Sequence, residues 1–565
     1  MNDAKFSVAP VREQLRRLAR HARANKPTLT EVGLALLSAL LLILSFPDFN
    51  LWPLAWVALV PLFLAVVRRP NIHTAFLLGW ISGTLFFYGS SYWVTYSMIR
   101  YGHIPAPVSY VLLVPPTLIV GLFPAACCAA LAVAVKRWGA RALFAAPFFW
   151  AALEWARLGL TGLLWNAIGY SQAFNTPLIQ TARWGGVYLV GFLIVSVNAS
   201  LAYTLLQRNV RALITTALII TCVALLIFSS NKISYEGLFN SAPPEILRPD
   251  AVVVALQPDV PMEPVDSNAE TAALIARHVQ ISEDALRKWE ARSREKDRWD
   301  EINHLYKSEE AAQKSLTSVP RVVIWPESPM NFQYARDTEF RELLTAFAKK
   351  NRASVIFNAL EPAPANGAYN AAMMVNEEGR AVAQYDKIRL MPFGEYVPLP
   401  RWLPGVAWIP TMVGEFTPGT DFVLMPLGEA RAGVFICFES TVPSIARKFS
   451  DDGADVLINI SNDGYLGPTP VMRQHLANAV FRAVENDRPV LRVTNTGITA
   501  YINERGTVSD ETVGYQTDAR TWTVRRTARP KTFYTQHGDL FAIACALVSI
   551  LIFGMTFRRT VMSNE

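Results

Sequence analysis

Stretches long and apolar enough to cross a lipid bilayer constrain this chain more than any other feature. About 20 residues rising 1.5 Å each span the hydrocarbon core, and a single segment there satisfies its own backbone only as a helix. Such stretches fall near residues 31–47, 51–67, 74–97, 108–135, 142–160, 185–207, 211–229 and 539–557. They predict a polytopic α-helical membrane domain of about eight spans. The first two are short and punctuated by proline, so that pair reads either as two spans or as a re-entrant hairpin. The whole-chain averages, 52% hydrophobic and 18% charged over 565 residues, conceal a second and unlike part, because residues 251–527 read as a soluble domain.

Basic residues orient the spans. Lys5, Arg12, Arg16, Arg17, Arg20, Arg23 and Lys26 precede the first, and Arg68 and Arg69 follow the second. Lys136, Arg137 and Arg141 separate the fourth from the fifth, Arg208 and Arg211 the sixth from the seventh, and Arg558 and Arg559 follow the last. With eight spans every cluster falls on the cytoplasmic side and the soluble domain falls on the other. The expected layout is a basic cytoplasmic arm at 1–30, a membrane domain of seven spans at 31–229 and a linker at 230–250. A catalytic domain at 251–527, a final transmembrane helix at 539–557 and a cytoplasmic tail at 558–565 follow. The arm lacks the short apolar region and small-residue cleavage site of a signal peptide. Much of the net charge of +7 is this topogenic Lys and Arg, so no nucleic-acid partner is expected.

Inside 251–527 short apolar runs alternate with helix-like segments, which indicates an α/β layered domain. Strands are expected at 251–256, 321–325, 354–360, 371–376, 381–385, 432–438, 456–460 and 490–494, and helices at 338–351, 442–452 and 471–487. Residues 269–318 are dense in charge, with Leu274, Ile281, Leu286 and Trp289 spaced for one helix face.

Cys437 is the only cysteine outside the apolar segments. It closes a strand-like run and has no disulfide partner in the domain, so it reads either as buried packing or as a nucleophile. Glu327 ends Val-Val-Ile-Trp-Pro-Glu, where a desolvated carboxylate has the raised pKa of a general base. Lys387 ends another strand before a Pro/Gly-shaped loop, where a fixed ammonium lowers a thiol pKa and stabilises an oxyanion. Glu395 lies eight positions on, placed to orient that lysine. A Cys–His pair through His475 is the alternative. No cluster has metal-ligand spacing, no phosphate-cradling loop appears, and no cofactor is expected.

The Glu327, Lys387 and Cys437 motifs resemble the Glu-Lys-Cys triad of the nitrilase, or carbon–nitrogen hydrolase, superfamily. The chain as a whole resembles its membrane-bound branch, the apolipoprotein N-acyltransferase family. Phe46-Pro with Leu51-Trp-Pro-Leu-Ala55 resembles that family's first hairpin. Trp93-Val94, Ser97, Gly102 and Pro105 resemble its third-span exit, and Trp165 with Gly169-Tyr-Ser-Gln172 its loop before the sixth span. Asn459-Ile-Ser-Asn-Asp-Gly464 resembles the segment after the nucleophile strand. The resemblance implies a nitrilase-like αββα sandwich outside the cytoplasm, on an eight-helix domain in the bacterial inner membrane, with both termini cytoplasmic. It implies that Cys437 takes an acyl chain from a membrane phospholipid donor as a thioester, then passes it to the α-amine of a diacylated apolipoprotein acceptor. Glu327 would be the general base and Lys387 would stabilise the oxyanion. Glu395 and Glu439 match supporting glutamates.

Three departures bear on substrate recognition. Phe438 stands where the family often has tyrosine, Tyr465-Leu-Gly where Trp-Phe-Gly is usual, and no tryptophan occurs at 257–266. The loop at 400–410 is rich in Trp and Pro, including Trp402 and Trp408. Such rings favour a bilayer interface, and the loop is expected to act as a lid over the acyl site. Glu154 and Arg157, three residues apart in the fifth span, are expected to pair on one helix face, with lipid headgroup contact as the alternative. Two further readings compete with acyl transfer: a membrane-tethered amidase hydrolysing a small amide with the same triad, and a catalytically silent scaffold.

Overall fold

The computed structural model describes residues 26–47, 49–239, 249–262, 268–302, 319–330, 332–364, 367–397, 402 and 414–561. The membrane part begins with α1 (Leu29–Ser45), whose first turn is closed reciprocally by Thr28 and Glu31, two orphan donors satisfied at once. A 3-10 turn at Trp52–Trp56 and α2 (Val60–Arg68) follow, then α3 (Ile72–Ser90), α4 (Val114–Trp138), α5 (Ala146–Thr161), α6 (Ala182–Gln207) and α7 (Val210–Phe239). Helices therefore occupy all seven of the apolar stretches before residue 240.

Among the described residues, four helical stretches are long and apolar enough to cross a membrane: Ile72–Ser90, Ala106–Thr161, Ala182–Gln207 and Val210–Ile233. This is fewer than the eight expected, for reasons of length. The 17 residues of α1 reach only about 26 Å at 1.5 Å each. Prolines break the second stretch into the 3-10 turn and α2. The stretch at 106–161 is a single helical run by composition, but Gly139 (φ +60°) interrupts it. The third stretch likewise stops at Ser90, and a separate helix at Val94–Arg100 follows. Helix α7 continues to Phe239, well into the expected linker. The amino-terminal arm to residue 25, positions 240–248 and the tail from 562 lie outside the described residues.

Small residues set how closely the bundle packs, as is usual where lipid supplies no hydrophobic drive. A Cβ on Gly79 of α3 would sit 2.6 Å from the Pro124 carbonyl oxygen of α4, and one on Gly121 would overlap Thr84. In α6 the helix is broken at Gly185 and Gly186. Gly186 combines φ +64° with the Tyr534 ring 2.7 Å from where its Cβ would stand, so both backbone and space demand glycine.

The second part is two six-stranded sheets face to face. The strands are β1 (Ala251–Gln257), β2 (Arg321–Ile324), β3 (Ala353–Ala363), β4 (Gly367–Val375), β5 (Ala381–Asp386), β6 (Leu424–Leu427), β7 (Ala430–Ile436), β8 (Val456–Ser461), β9 (Val490–Thr494), β10 (Ala500–Ile502), β11 (Val508–Ser509) and β12 (Asp518–Val524). One sheet runs β12-β1-β2-β3-β4-β5 and the other β11-β10-β9-β8-β7-β6. The pairs β1–β2–β3 and β7–β8–β9 are parallel and the rest antiparallel. Alternation along β1 assigns the faces. Ala251, Val253 and Ala255 join the core between the sheets, while Val254 and Leu256 join a second core with Leu286, Phe340 and Phe347. Those residues come from α8 (Asn268–Ile302) and α9 (Thr338–Asn351) on one outer face. Helices α10 (Pro443–Asp451) and α11 (Val471–Asn486) cover the other sheet, and α12 (Leu540–Val561) returns to the apolar part. The layers are helix, sheet, sheet, helix. The expected helix over 269–318 is described only to residue 302.

Candidate active site

Glu327, Lys387 and Cys437 arrive at one cavity from three strands. Glu327 follows β2, Lys387 follows β5 and Cys437 follows β7, and all three line a space of about 620 Å³ with Asn358, Asn370, Glu395, Phe438, Asn462 and Tyr465. Strand ends are where layered α/β folds place such groups.

The strand expected to include Cys437 stops one residue short. β7 ends at Ile436, and Cys437 adopts φ +52° in a 3-10 turn at Cys437–Thr441. A left-handed conformation is unfavourable for a residue with a Cβ, and here surrounding contacts impose it. The Glu439 carboxylate accepts from Ile436 N at 2.8 Å. The Cys437 carbonyl accepts from Asn459 Nδ2 at 3.3 Å and faces His475 Nε2 at 3.1 Å.

Around the thiol the charges form a chain. Glu327 is within hydrogen-bonding reach of the Cys437 side chain. Its Oε1 accepts from Asn370 Nδ2 at 3.0 Å and its Oε2 from Asn462 N at 3.1 Å. Lys387 Nζ lies 3.8 Å from Glu327 Oε1 and donates to Glu395 Oε1 at 2.8 Å. Glu395 is held in turn by Asn370 and by Met391 N, both at 2.8 Å. Glu395 thus orients the lysine as its spacing suggests.

Burial raises the Glu327 carboxyl above its ordinary range, with Lys387 pulling it part of the way back. Burial pushes the Cys437 thiol well up and the Glu327 charge adds to this, against Lys387. Burial alone would lower Lys387, but Glu395 and Glu327 outweigh it and hold the ammonium charged. The resting site is therefore a protonated thiol beside a desolvated base and a permanent cation. That set suits general-base attack on an acyl carbon.

Glu439 is fully buried and does not line the cavity. Besides Ile436 N it accepts from Tyr385 Oη at 2.8 Å, Ile388 N at 2.9 Å and Arg389 N at 3.0 Å. It ties the loop after Lys387 to the strand that precedes Cys437. Phe438 packs against Trp165 from the membrane part, with ring centroids 5.1 Å apart. The Tyr465 carbonyl accepts from Ser97 Oγ at 2.5 Å, and its ring meets Tyr101 at 5.7 Å. Trp402 is 79% exposed and away from the cavity, while Trp408 and the rest of that loop lie outside the described residues. A thiol–imidazole pair is not formed, because His475 faces the Cys437 backbone and not its sulfur.

Asn358 and Asn370 escaped the sequence reading, though a signal existed. Each is a buried polar residue inside an apolar strand run, and Asn358 Nδ2 donates to Asn370 Oδ1 at 2.7 Å. Gln474 is a second omission. Its Oε1 accepts from Trp93 Nε1 at 3.1 Å, Trp165 Nε1 at 2.9 Å and Asn166 Nδ2 at 3.4 Å. Its Nε2 donates to the Pro47 and Ser90 carbonyls, both at 3.0 Å. One amide of the sandwich thereby fastens three segments of the membrane part, at Pro47, Ser90–Trp93 and Trp165–Asn166. Glu154 and Arg157 form no direct hydrogen bond or ion pair with each other, contrary to the expected pairing, because each is taken up by the loop after the helix. Glu154 Oε1 accepts from Ile168 N at 2.8 Å and Arg157 Nη1 donates to the Trp165 carbonyl at 2.7 Å, so both hold the loop that presents Trp165.

A multi-pass helical part joined to a two-sheet sandwich, with a buried thiol, carboxylate and amine at one cavity, defines a membrane-bound protein of the nitrilase superfamily. The profile of the apolipoprotein N-acyltransferase N-terminal domain matches residues 38–200, and that of carbon-nitrogen hydrolase matches residues 276–525. An apolipoprotein N-acyltransferase of Geobacter metallireducens is 31% identical over 94% of this chain and 96% of its own. One from Chlorobaculum tepidum is 28% identical over 91% and 94%. An amidase from Nesterenkonia sp. aligns with 54% of this chain and 99% of its own, at TM-score 0.34 and 14% identity. The chain belongs to the apolipoprotein N-acyltransferase family.

Proposed function

We propose that the protein transfers a fatty acyl chain from a membrane glycerophospholipid to the α-amine of an apolipoprotein's diacylglyceryl-cysteine, through a thioester on Cys437. The convergence of Glu327, Lys387 and Cys437 on one cavity, whose wall residue Phe438 packs against Trp165 of the membrane part, carries this reading. Glu327 takes the thiol proton as sulfur attacks the ester carbonyl, and Lys387 stabilises the oxyanion that forms. The carbon–oxygen bond then breaks, and the leaving lysophospholipid receives the proton from Glu327. In the second half the incoming amine gives a proton to Glu327 and attacks the thioester. The carbon–sulfur bond breaks, and the thiolate takes that proton back. Glu395 fixes Lys387, Glu439 fixes the backbone between them, and Phe438 and Tyr465 border the acyl site.

The topology we favour has eight spans: the four long helical stretches, with Ala106–Thr161 counted as two on either side of Gly139, and the three shorter apolar helices. Both termini lie in the cytoplasm and the sandwich faces outward from the bacterial inner membrane. The domain boundaries are those expected above, with the linker shortened by the extension of α7. The test is incubation of the membrane-embedded protein with labelled phospholipid. An acyl adduct on Cys437 is expected, lost in Cys437→Ala and discharged by a diacylated lipopeptide. Amide hydrolysis without an adduct would overturn the reading in favour of an amidase.

A further inference from the structure

The back of the nucleophile turn is built from charges that the acyl-transfer steps leave unused. His475 on α11 is fully buried, with Nε2 3.1 Å from the Cys437 carbonyl oxygen and Nδ1 2.8 Å from Asp463 Oδ1. Asp463 Oδ2 accepts from Arg492 Nη2 at 2.8 Å, and Arg492 Nη1 donates to Asn459 Oδ1 at 2.6 Å. Asn459 returns to the same Cys437 carbonyl. The circuit runs from β9 through the turn after β8 to α11 and back, and closes on one peptide oxygen. Above it, Phe438 stacks on the His475 ring at 5.2 Å and Trp165 lies 5.7 Å from that ring. No atom of His475 lines the catalytic cavity.

This carbonyl belongs to the residue whose left-handed backbone aims the thiol. Releasing it frees the turn to relax toward the extended conformation of β7 and swings the sulfur away from Glu327. We propose that His475, oriented by Asp463 and Arg492, is the positioning residue that holds Cys437 in its attacking conformation. The proposal rests on the reading of Cys437 as nucleophile. A carbonyl and an ionised carboxylate both accept, so both ring contacts carry protons together only in the imidazolium. Burial and Arg492 push the ring toward its neutral form and Asp463 pulls it back. In either state Asn459 adds its own donor.

The full-length protein in detergent, treated with iodoacetamide, reports the thiol's placement without any lipid. His475→Ala is expected to slow alkylation of Cys437 by about tenfold or more, the scale of loss that small misplacements cause. Acylation by phospholipid should lose kcat with little change in KM. His475→Gln, whose amide places an N–H near the position of Nε2, is expected to recover to within about threefold of the unaltered protein. Asp463→Asn keeps the ring but removes the charge that orients it, and should slow alkylation by about threefold or more. Unchanged alkylation in His475→Ala, or equal slowing in His475→Ala and His475→Gln when both melt like the unaltered protein, would overturn the proposal. So would an unchanged rate in Asp463→Asn, whether or not the alanine variant folds. Absence of a phospholipid-derived adduct in the unaltered protein counts against acyl transfer instead, and the alkylation rates still decide the role of His475.

Discussion

At the residue that would carry the acyl group, acidity and position are set by different neighbours. Glu327 and Lys387 act on the Cys437 side chain, and Glu439, Asn459 and His475 act on its backbone. Because burial raises the Glu327 pKa above the ordinary value of 4.5, its basic form should be lost at a higher pH than for a surface glutamate. Single-turnover acylation is expected to fall on acidification with a midpoint above 4.5, measured as adduct formed against pH. An acid raised by burial makes the folded state less stable once ionised. Glu327→Gln is therefore expected to abolish the adduct without lowering the melting temperature at neutral pH. Asp463 has the opposite sign. Burial alone would raise it, but Arg492 and His475 hold it at about 2, below its unfolded value. It thus contributes about 2 kcal/mol at neutral pH, lost as pH falls from about 4 toward 2. The acid side of a pH–melting curve should flatten in Asp463→Asn. Cys437, Glu327 and Lys387 stood out by their places at strand ends, but that they converge followed only from the family resemblance, since separations along the chain do not give it. The elbow at Cys437 was not legible, because two of the side chains that hold it, Asn459 and His475, are distant in sequence.

Elements with a strong local pattern were legible, and those defined by their partners were not. Strands β1 to β5 and β7 to β9 lie where the apolar runs fall, within a few residues at each end. Strands β6, β10, β11 and β12 are short or half-exposed, and each owes its place to an antiparallel neighbour. The same holds between helices. The packing of α3 on α4 rests on Gly79, Gly83 and Gly121, whose close approach no periodicity reveals. Gly79→Val would drive a side chain into the Pro124 backbone and is expected to cost about 1–3 kcal/mol, read as a lower melting temperature in detergent. At the joint, Gln474→Leu would leave the buried Trp165 N–H without a partner. A loss of about 1–3 kcal/mol is expected, together with slower acylation, whereas Arg473→Ala next door, at an exposed ion pair with Glu511, should change melting little.

On the scale of the whole molecule, the division into an apolar bundle and a layered domain was plain from composition, but the contact between them was not. Trp165 lies on Phe438, Gln474 holds three segments of the bundle, and Glu485 of α11 accepts from Val187 N at the start of the unbroken part of α6, at 3.0 Å. A carboxylate at that helix amino terminus is favoured by the local dipole. The Trp165 contact means that one wall residue of the pocket beside Cys437, Phe438, is itself backed by the membrane part. A sandwich severed from its helices would keep Glu327, Lys387 and Cys437 after the ends of their strands, yet it would carry a gap behind Phe438 where the indole had stood. Water entering there would weaken every charge interaction the site depends on. Separately expressed halves should therefore show no adduct until they reassemble, which makes the seam, rather than either part, the smallest unit that works.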